Sequence, residues 1–374
     1  MNAKEIVWII IAIVVIGGGW LLLRDTTPAD TSPIKIGFIG PLTGDAASIG
    51  ENARAAVEIA VEEVNAAGGI NGRPLEVIYE DGQCNGAVAS NAANKLINID
   101  RVPVILGGAC SGETSAFAGA AEQSRTVTLS YCSSAPAISQ AGDYIFRDYP
   151  SDTFQGAFAA KYMTETLGTQ NVAILYAKSD WGNGIKDVFR REFEEMGGNV
   201  VAEEGYEQTS RDLRSQLTKI KAANPEAVYF LGYTEASIPG LKQAKELGLN
   251  VPLFGGDAWD DSKIWTDTGP AGDEAMYSIV YAPLNEEFRI KMKDRVGTNE
   301  ITICSPQAYD GVKVLSQVME KVGTDSEAIK NELYNTIYAG GVSGDRIEFD
   351  ENGDLVGANY IVKKAMNGVA EPVQ

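Results

Sequence analysis

A chain of 374 residues, 44% hydrophobic and 22% charged, carries enough apolar mass for roughly two packed domains. Its 51 acidic against 31 basic residues leave a formal charge of −20, which argues against nucleic acid as a partner. Not one histidine is present, which removes Ser-His-Asp and Cys-His catalysis, histidine metal sites and histidine pH switches together. Walker loops, G-x-S-x-G elbows and paired C-x-x-C motifs are absent too, so the sequence predicts no enzyme, no cofactor and no metal.

The N-terminus opens with an unbroken apolar or glycine run, Ile6–Leu23, of 18 residues. As a helix it would be about 27 Å long, close to the roughly 30 Å of a bilayer core. Trp8 and Trp20 stand near its ends, where amphipathic rings prefer the interface. A cleaved signal peptide, leaving a secreted or periplasmic chain, is the alternative. The run exceeds the usual apolar core of such peptides and ends in Leu-Leu-Leu-Arg-Asp, so an uncleaved membrane anchor over residues 1–24 is expected. Residues 25–33, with TTPADTSP, read as a polar tether.

Strands and helices then alternate. Ile34–Ile39 reads as a buried strand and Glu51–Ala67 as a helix, its apolar residues recurring at i, i+3 and i+4. Leu75–Glu80 is a second strand and Ala87–Ile99 a second helix. The next stretch, Val104–Ile138, reads strand, Gly- and Ser-bearing turn, helix, strand, turn. Such alternation with short loops means a doubly wound parallel sheet. Consecutive parallel strands end on one edge, where α/β sheets bind ligands. The turn after Gly108 opens a helix whose free N–H groups favour an anion, and the hydroxyls of Ser111, Ser115, Ser133 and Ser134 would add donors there.

A second series follows: helix Phe154–Leu167, strand Asn171–Ala177, helix Asn183–Met196, strand Asn199–Glu204 and helix Asp212–Ala223. Strand Ala227–Gly232, helix Glu235–Leu247 and strand Val251–Gly255 continue it. Trp181 and Tyr233 each follow a strand of this series, as does Asp257 in GGDAW. Asp350–Asp354 (DENGD) lacks a twelve-residue calcium pattern and reads as a hairpin turn.

Ile36–Gly50 (IGFIGPLTGDAASIG), the helix after it and Gly68–Pro74 (GGINGRP) resemble the opening of the type I periplasmic binding proteins, in particular the leucine/isoleucine/valine-binding protein family. The resemblance extends over nearly all of Ile34–Lys364. It implies two doubly wound parallel-sheet lobes joined by a three-strand hinge. Lobe one would comprise 34–150 with 281–340, and lobe two 151–280 with 341–374. The third crossing is expected near Gly340–Gly344.

The same resemblance implies a disulfide between Cys84 and Cys110, which both follow strands on one sheet edge. Closing that loop would stabilise the fold by roughly 3–4 kcal/mol in an oxidising compartment. Cys132 and Cys304 are left open as a pair. Ser111 and Ser134 match residues that hold a ligand carboxylate, and Cys132 one whose backbone carbonyl meets the ligand ammonium. Asp257 matches the acidic ammonium partner, one methylene shorter than the glutamate of many branched-chain binders, with Asp260 and Asp261 as neighbours able to compete. Trp181 and Tyr233 match the aromatic walls and Ile49 the lobe-one wall. The implied protein is a monomeric, extracytoplasmic solute-binding protein that captures an apolar α-amino acid and docks on the permease of an ABC importer. A ligand-sensing ectodomain, or a binder of an amide, urea or aromatic acid, is the alternative.

Overall fold

The computed structural model describes residue 2, residues 30–297 and residues 301–373. The expected anchor lies outside the described residues, as does most of the tether. Among the described residues no helix is long and apolar enough to cross a membrane.

The first series builds a five-stranded sheet. Its strands are β1 (Ile34–Gly40), β2 (Leu75–Asp81), β3 (Val104–Gly107), β4 (Val127–Ser130) and β5 (Ile145–Arg147), in the order β2-β1-β3-β4-β5. Every pairing in it is parallel. Helices α1 (Ala47–Ala66), α2 (Gly86–Lys95) and α3 (Ser111–Ser124) connect them. In β3 and β4 every residue is buried, the continuous apolar pattern of strands covered on both faces. The Phe38 ring of β1 stacks on Tyr131, just past β4, with centroids 5.4 Å apart. That contact braces the loop carrying Cys132 to Ser134.

Helix α4 (Asp152–Lys161) leads into the second sheet, which contains β6 (Asn171–Ala177), β7 (Asn199–Tyr206), β8 (Ala227–Leu231), β9 (Leu253–Gly255) and β10 (Met276–Val280). Helices α5 (Asp180–Glu195), α6 (Arg214–Ala222), α7 (Thr234–Glu246) and α8 (Ser262–Thr268) connect these strands. The chain then returns through α9 (Glu286–Val296), α10 (Ser305–Val322) and α11 (Ser326–Leu333). Helix α10 packs on α1 of the first lobe. Four short strands close the chain: β11 (Ile337–Ala339), β12 (Arg346–Glu348), β13 (Tyr360–Met366) and β14 (Val369–Pro372).

Two features depart from the expected scheme. The second sheet is mixed, because β13 pairs antiparallel with β10 and β14 extends the edge beyond it. The two-residue turn Asn367-Gly368, both at positive φ (53° and 82°), folds β13 and β14 into a tight hairpin. The third crossing also comes later than Gly340–Gly344. Strand β12 pairs with β11 in a separate two-stranded hairpin, and the second sheet resumes only at Tyr360.

Arg147 supplies the physical reason for the late crossing. This guanidinium at the end of β5 is fully buried and needs a counter-charge inside the protein. Asp354 provides it through Nε to Oδ1 at 2.7 Å and Nη2 to Oδ2 at 2.9 Å. Nη1 donates to the Ala135 carbonyl at 2.9 Å, Nη2 also to Ser139 Oγ at 2.7 Å. The Asp350–Asp354 loop is therefore pinned to the first lobe before the chain leaves it. The loop is a turn, with Asp350 Oδ1 accepting from the amides of Asn352 and Asp354.

Candidate functional site

The C-terminal ends of β3 and β4 face those of β6, β8 and β9 across a cleft. Strands β3 and β4 deliver Ala109, Ser111, Cys132 and Ser134 to a small cavity there. The second lobe delivers Trp181, Tyr233, Asp257 and Ala258, and Ile49 and Ile303 complete the lining. The free space inside it is only about 30 Å³, well below the roughly 300–1,000 Å³ of a small-molecule site.

Of the residues singled out from sequence, Ile49, Ser111, Cys132, Ser134, Trp181, Tyr233 and Asp257 line this cavity, and Ser115 and Ser133 do not. The Ser133 hydroxyl lies 2.7 Å from Thr114 Oγ1 and 3.0 Å from the Gly108 carbonyl, so it ties the two ligand-side loops together behind the cavity. Ser115 is exposed on the far side of α3.

Helix α3 begins at Ser111, directly after the β3 loop. Ser111 Oγ accepts the amides of Ser134 (3.2 Å) and Ala135 (3.0 Å). With both lone pairs engaged by backbone, its own hydrogen stays available for a guest. Glu113, two residues on, is fully buried and accepts the amides of Cys84, Ala109 and Cys110 at 2.9 to 3.0 Å. Burial pushes its carboxyl up to about 7 against the pull of those amides. Part of the anion-binding capacity expected at this helix end is thus taken by the chain's own carboxylate. The Cys110-x-x-Glu113 spacing of a capping box was the signal for it.

Two disulfides frame the site. Cys84 bonds Cys110, fixing the β2 and β3 loops to one another. Cys132 bonds Cys304, the residue before α10. The second bridge brings Ile303 to the cavity wall, where its amide also donates to the Asp260 carbonyl at 3.0 Å. Nothing in the local sequence around Ile303 marks it as a wall residue.

In the second lobe, Trp181 occupies the first turn of α5 and Tyr233 caps α7. Their rings lie 4.9 Å apart at 37°, forming one aromatic wall. Asp257 sits beside it, only 3% exposed. The two glycines before it permit this approach. A Cβ on Gly255 would lie 2.2 Å from the Trp259 ring, and one on Gly256 3.2 Å from that of Trp181. Tyr149, in the first crossing, donates its hydroxyl to Asp257 Oδ2 at 2.7 Å. Burial raises the Asp257 carboxyl from 3.8 to about 6, while the Tyr149 hydrogen bond holds it down.

The neighbouring acids are committed elsewhere. Asp260 pairs with Lys363 at 2.6 Å and accepts from the Tyr277 hydroxyl at 2.6 Å. Asp261 accepts from Thr234 Oγ1 at 2.6 Å and, across the cleft, from Ser48 Oγ at 3.1 Å. Gln208 donating to the Cys84 carbonyl at 3.2 Å and an Arg211–Asp45 ion pair also span the cleft. The lobes are held together around the cavity.

The Ser134 hydroxyl lines the cavity but donates to Asp152 Oδ2 at 3.0 Å. Asp152 opens α4 and is fully buried, and no sequence motif marked it. Burial and the nearby charge of Asp257 push its carboxyl well above the carboxylate range, against the pull of Ser134 and Arg147. The arrangement offers hydroxyl donors and a helix N-terminus from one lobe and a carboxylate from the other, with apolar walls between.

Comparison with known proteins bears on the family and the fold. The sequence profile of the periplasmic binding proteins matches residues 33–368. The chain is 31% identical over 344 residues to a leucine-, isoleucine-, valine-, threonine- and alanine-binding protein of Pseudomonas aeruginosa, covering 89% of this chain and 90% of the relative. Its structure is similar to that of a leucine-binding protein from Thermotoga maritima, with a TM-score of 0.85 and 28% identity over 91% of this chain and 98% of the other. A solute-binding protein of an ABC transporter from R. palustris in complex with benzoate shares the fold, with a TM-score of 0.83, 20% identity and coverage of 91% and 95%.

Proposed function

The chain belongs to the periplasmic binding protein family, and from that premise we propose that it is the extracytoplasmic solute-binding protein of an ABC importer, capturing an apolar α-amino acid between its two lobes. One observation carries the reading: hydroxyls from the first lobe and a carboxylate from the second face a single small cavity with apolar and aromatic walls. A buried zwitterion needs both its charges paired, and this is the complementary pattern. Ser111 and Ser134 take the ligand carboxylate. Asp257 takes the ammonium, and Ile49, Ile303, Trp181 and Tyr233 surround the side chain. Closure is the binding event, and the closed form docks on a permease. The run Ile6–Leu23 holds the protein to the membrane, and it acts as a monomer.

A thermal-shift screen of the full-length chain against the twenty amino acids and benzoate tests this. Stabilisation by one or more apolar amino acids is expected. Stabilisation by benzoate alone would move the ligand to aromatic acids, a reading that the Trp181–Tyr233 wall also suits. No stabilisation by any of them would overturn the proposal.

A further inference from the structure

The partner of Ser134 is a residue that the binding scheme above does not use. Asp152 does not line the cavity, yet two hydrogen bonds lock it to a residue that does. Its amide donates to the Ser134 carbonyl at 2.7 Å, and it accepts the Ser134 hydroxyl on Oδ2 at 3.0 Å. Its other oxygen, Oδ1, is buried with no hydrogen-bond partner among the described residues. A serine hydroxyl has one hydrogen. While Ser134 gives it to Asp152, the oxygen turns only lone pairs to the cavity, the wrong polarity for a ligand carboxylate. Ser111 differs, because both of its hydrogen bonds are accepted.

The surroundings of Asp152 disfavour a second negative charge. Asp257 faces it from the second lobe, and the phenols of Tyr149, Tyr229, Tyr233 and Tyr360 lie in the same buried neighbourhood. The cation near it, Arg147, is already paired with Asp354. One ligand ammonium can neutralise one of the two acids, not both.

We propose that Asp152 is a positioning residue that, when protonated, donates to Ser134 Oγ and so turns the Ser134 hydrogen toward the ligand carboxylate, making ligand capture take up one proton from solution. The step breaks the Ser134-to-Asp152 hydrogen bond and forms two others, Asp152 Oδ2–H to Ser134 Oγ and Ser134 O–H to the ligand. The added proton cancels the charge that would otherwise face the carboxylate. Burial and the charge of Asp257 already raise the Asp152 carboxyl, so the added proton goes in the direction its surroundings favour. The inference rests on the reading of the cavity as a carboxylate site, and it deepens that reading.

The sign separates this role from that of Asp257. An ammonium prefers an ionised Asp257, so linkage through that residue releases a proton and tightens binding as pH rises. Linkage through Asp152 takes up a proton and weakens binding as pH rises, by at most about tenfold per pH unit.

Calorimetric titration of the full-length chain with leucine and with benzoate, in buffers of different ionisation heat from about pH 6 to about pH 9, reads both the proton count and the affinity. Uptake approaching one proton is expected for whichever ligand binds. Asp152→Asn keeps the shape without the charge and should bind without uptake, leaving for leucine only the proton release and rising affinity that Asp257 gives near pH 6. Binding of the parent chain without uptake, or uptake that persists in Asp152→Asn, overturns the proposal. The first of these needs no variant. If neither ligand binds at any pH, the carboxylate reading of the cavity falls, and this inference with it.

Discussion

Replacing Asp257 by asparagine separates the two demands on a buried carboxylate. Asp257 is 3% exposed, and the Tyr149 hydroxyl and the backbone amides of Ala258 and Asp257 offset only part of its desolvation cost. Its pKa, raised from 3.8 to about 6, expresses that cost. A carboxyl with a raised folded-state pKa contributes stability that is present below the unfolded value and lost as pH rises through the folded one. The shift of about two units corresponds to roughly 3 kcal/mol lost between about pH 4 and about pH 6. An asparagine side chain never ionises, so ligand-free Asp257→Asn should be more stable than the parent at pH 8, by up to about 3 kcal/mol, and no more stable at pH 4. Ligand binding should move the other way. An ammonium buried without its counter-charge costs about 3–5 kcal/mol, or roughly 150- to 5,000-fold in Kd. Denaturant unfolding at the two pH values gives the first quantity, and calorimetric titration with the best amino acid gives the second. A variant that binds that amino acid as tightly as the parent would refute the ammonium assignment.

Four further outcomes follow from the same structure. Trp181→Ala removes a wall and no charge partner, so the ranking of amino acids by side-chain size should change by about 10- to 100-fold, measured as ratios of Kd; an unchanged ranking would exclude Trp181 from the wall. Arg147→Ala leaves the Asp354 carboxylate without its counter-charge, held only by the Ser139 hydroxyl, and should cost about 3–5 kcal/mol in denaturant unfolding; a loss below about 1 kcal/mol would contradict a buried pair. Replacing both cysteines of either disulfide by serine should lower stability by up to roughly 3–4 kcal/mol for Cys84–Cys110 and about 5 kcal/mol for Cys132–Cys304, whose loop is longer, and non-reducing peptide mapping should show both pairs linked. Intact-mass measurement of native material should find Ile6–Leu23 retained and the protein with the membrane fraction; a mature chain starting after Leu23 would refute the anchor.

The sequence by itself determined the alternation of strands and helices and the positions of the ligand-side turns. Both are local properties, set by apolar periodicity and turn residues. Resemblance to a family then put Ser111, Ser134, Trp181, Tyr233 and Asp257 at one site, and the structure places them around one cavity. Only tertiary structure decided what those side chains face. Ser133 and Ser134 are adjacent in sequence, yet one hydroxyl ties loops together and the other lines the cavity, because neighbouring residues in a turn point in different directions. The mixed edge of the second sheet had a local signal in Asn367-Gly368, but pairing of that hairpin with β10 is long-range. Ile303 enters the wall through a bridge between residues 172 positions apart. From sequence Asp354 reads only as part of a hairpin turn and Asp152 has no reading at all, yet folding sets the first against a buried guanidinium and the second against Ser134. Burial and charge pairing arise between segments distant in the chain, and no local pattern encodes them.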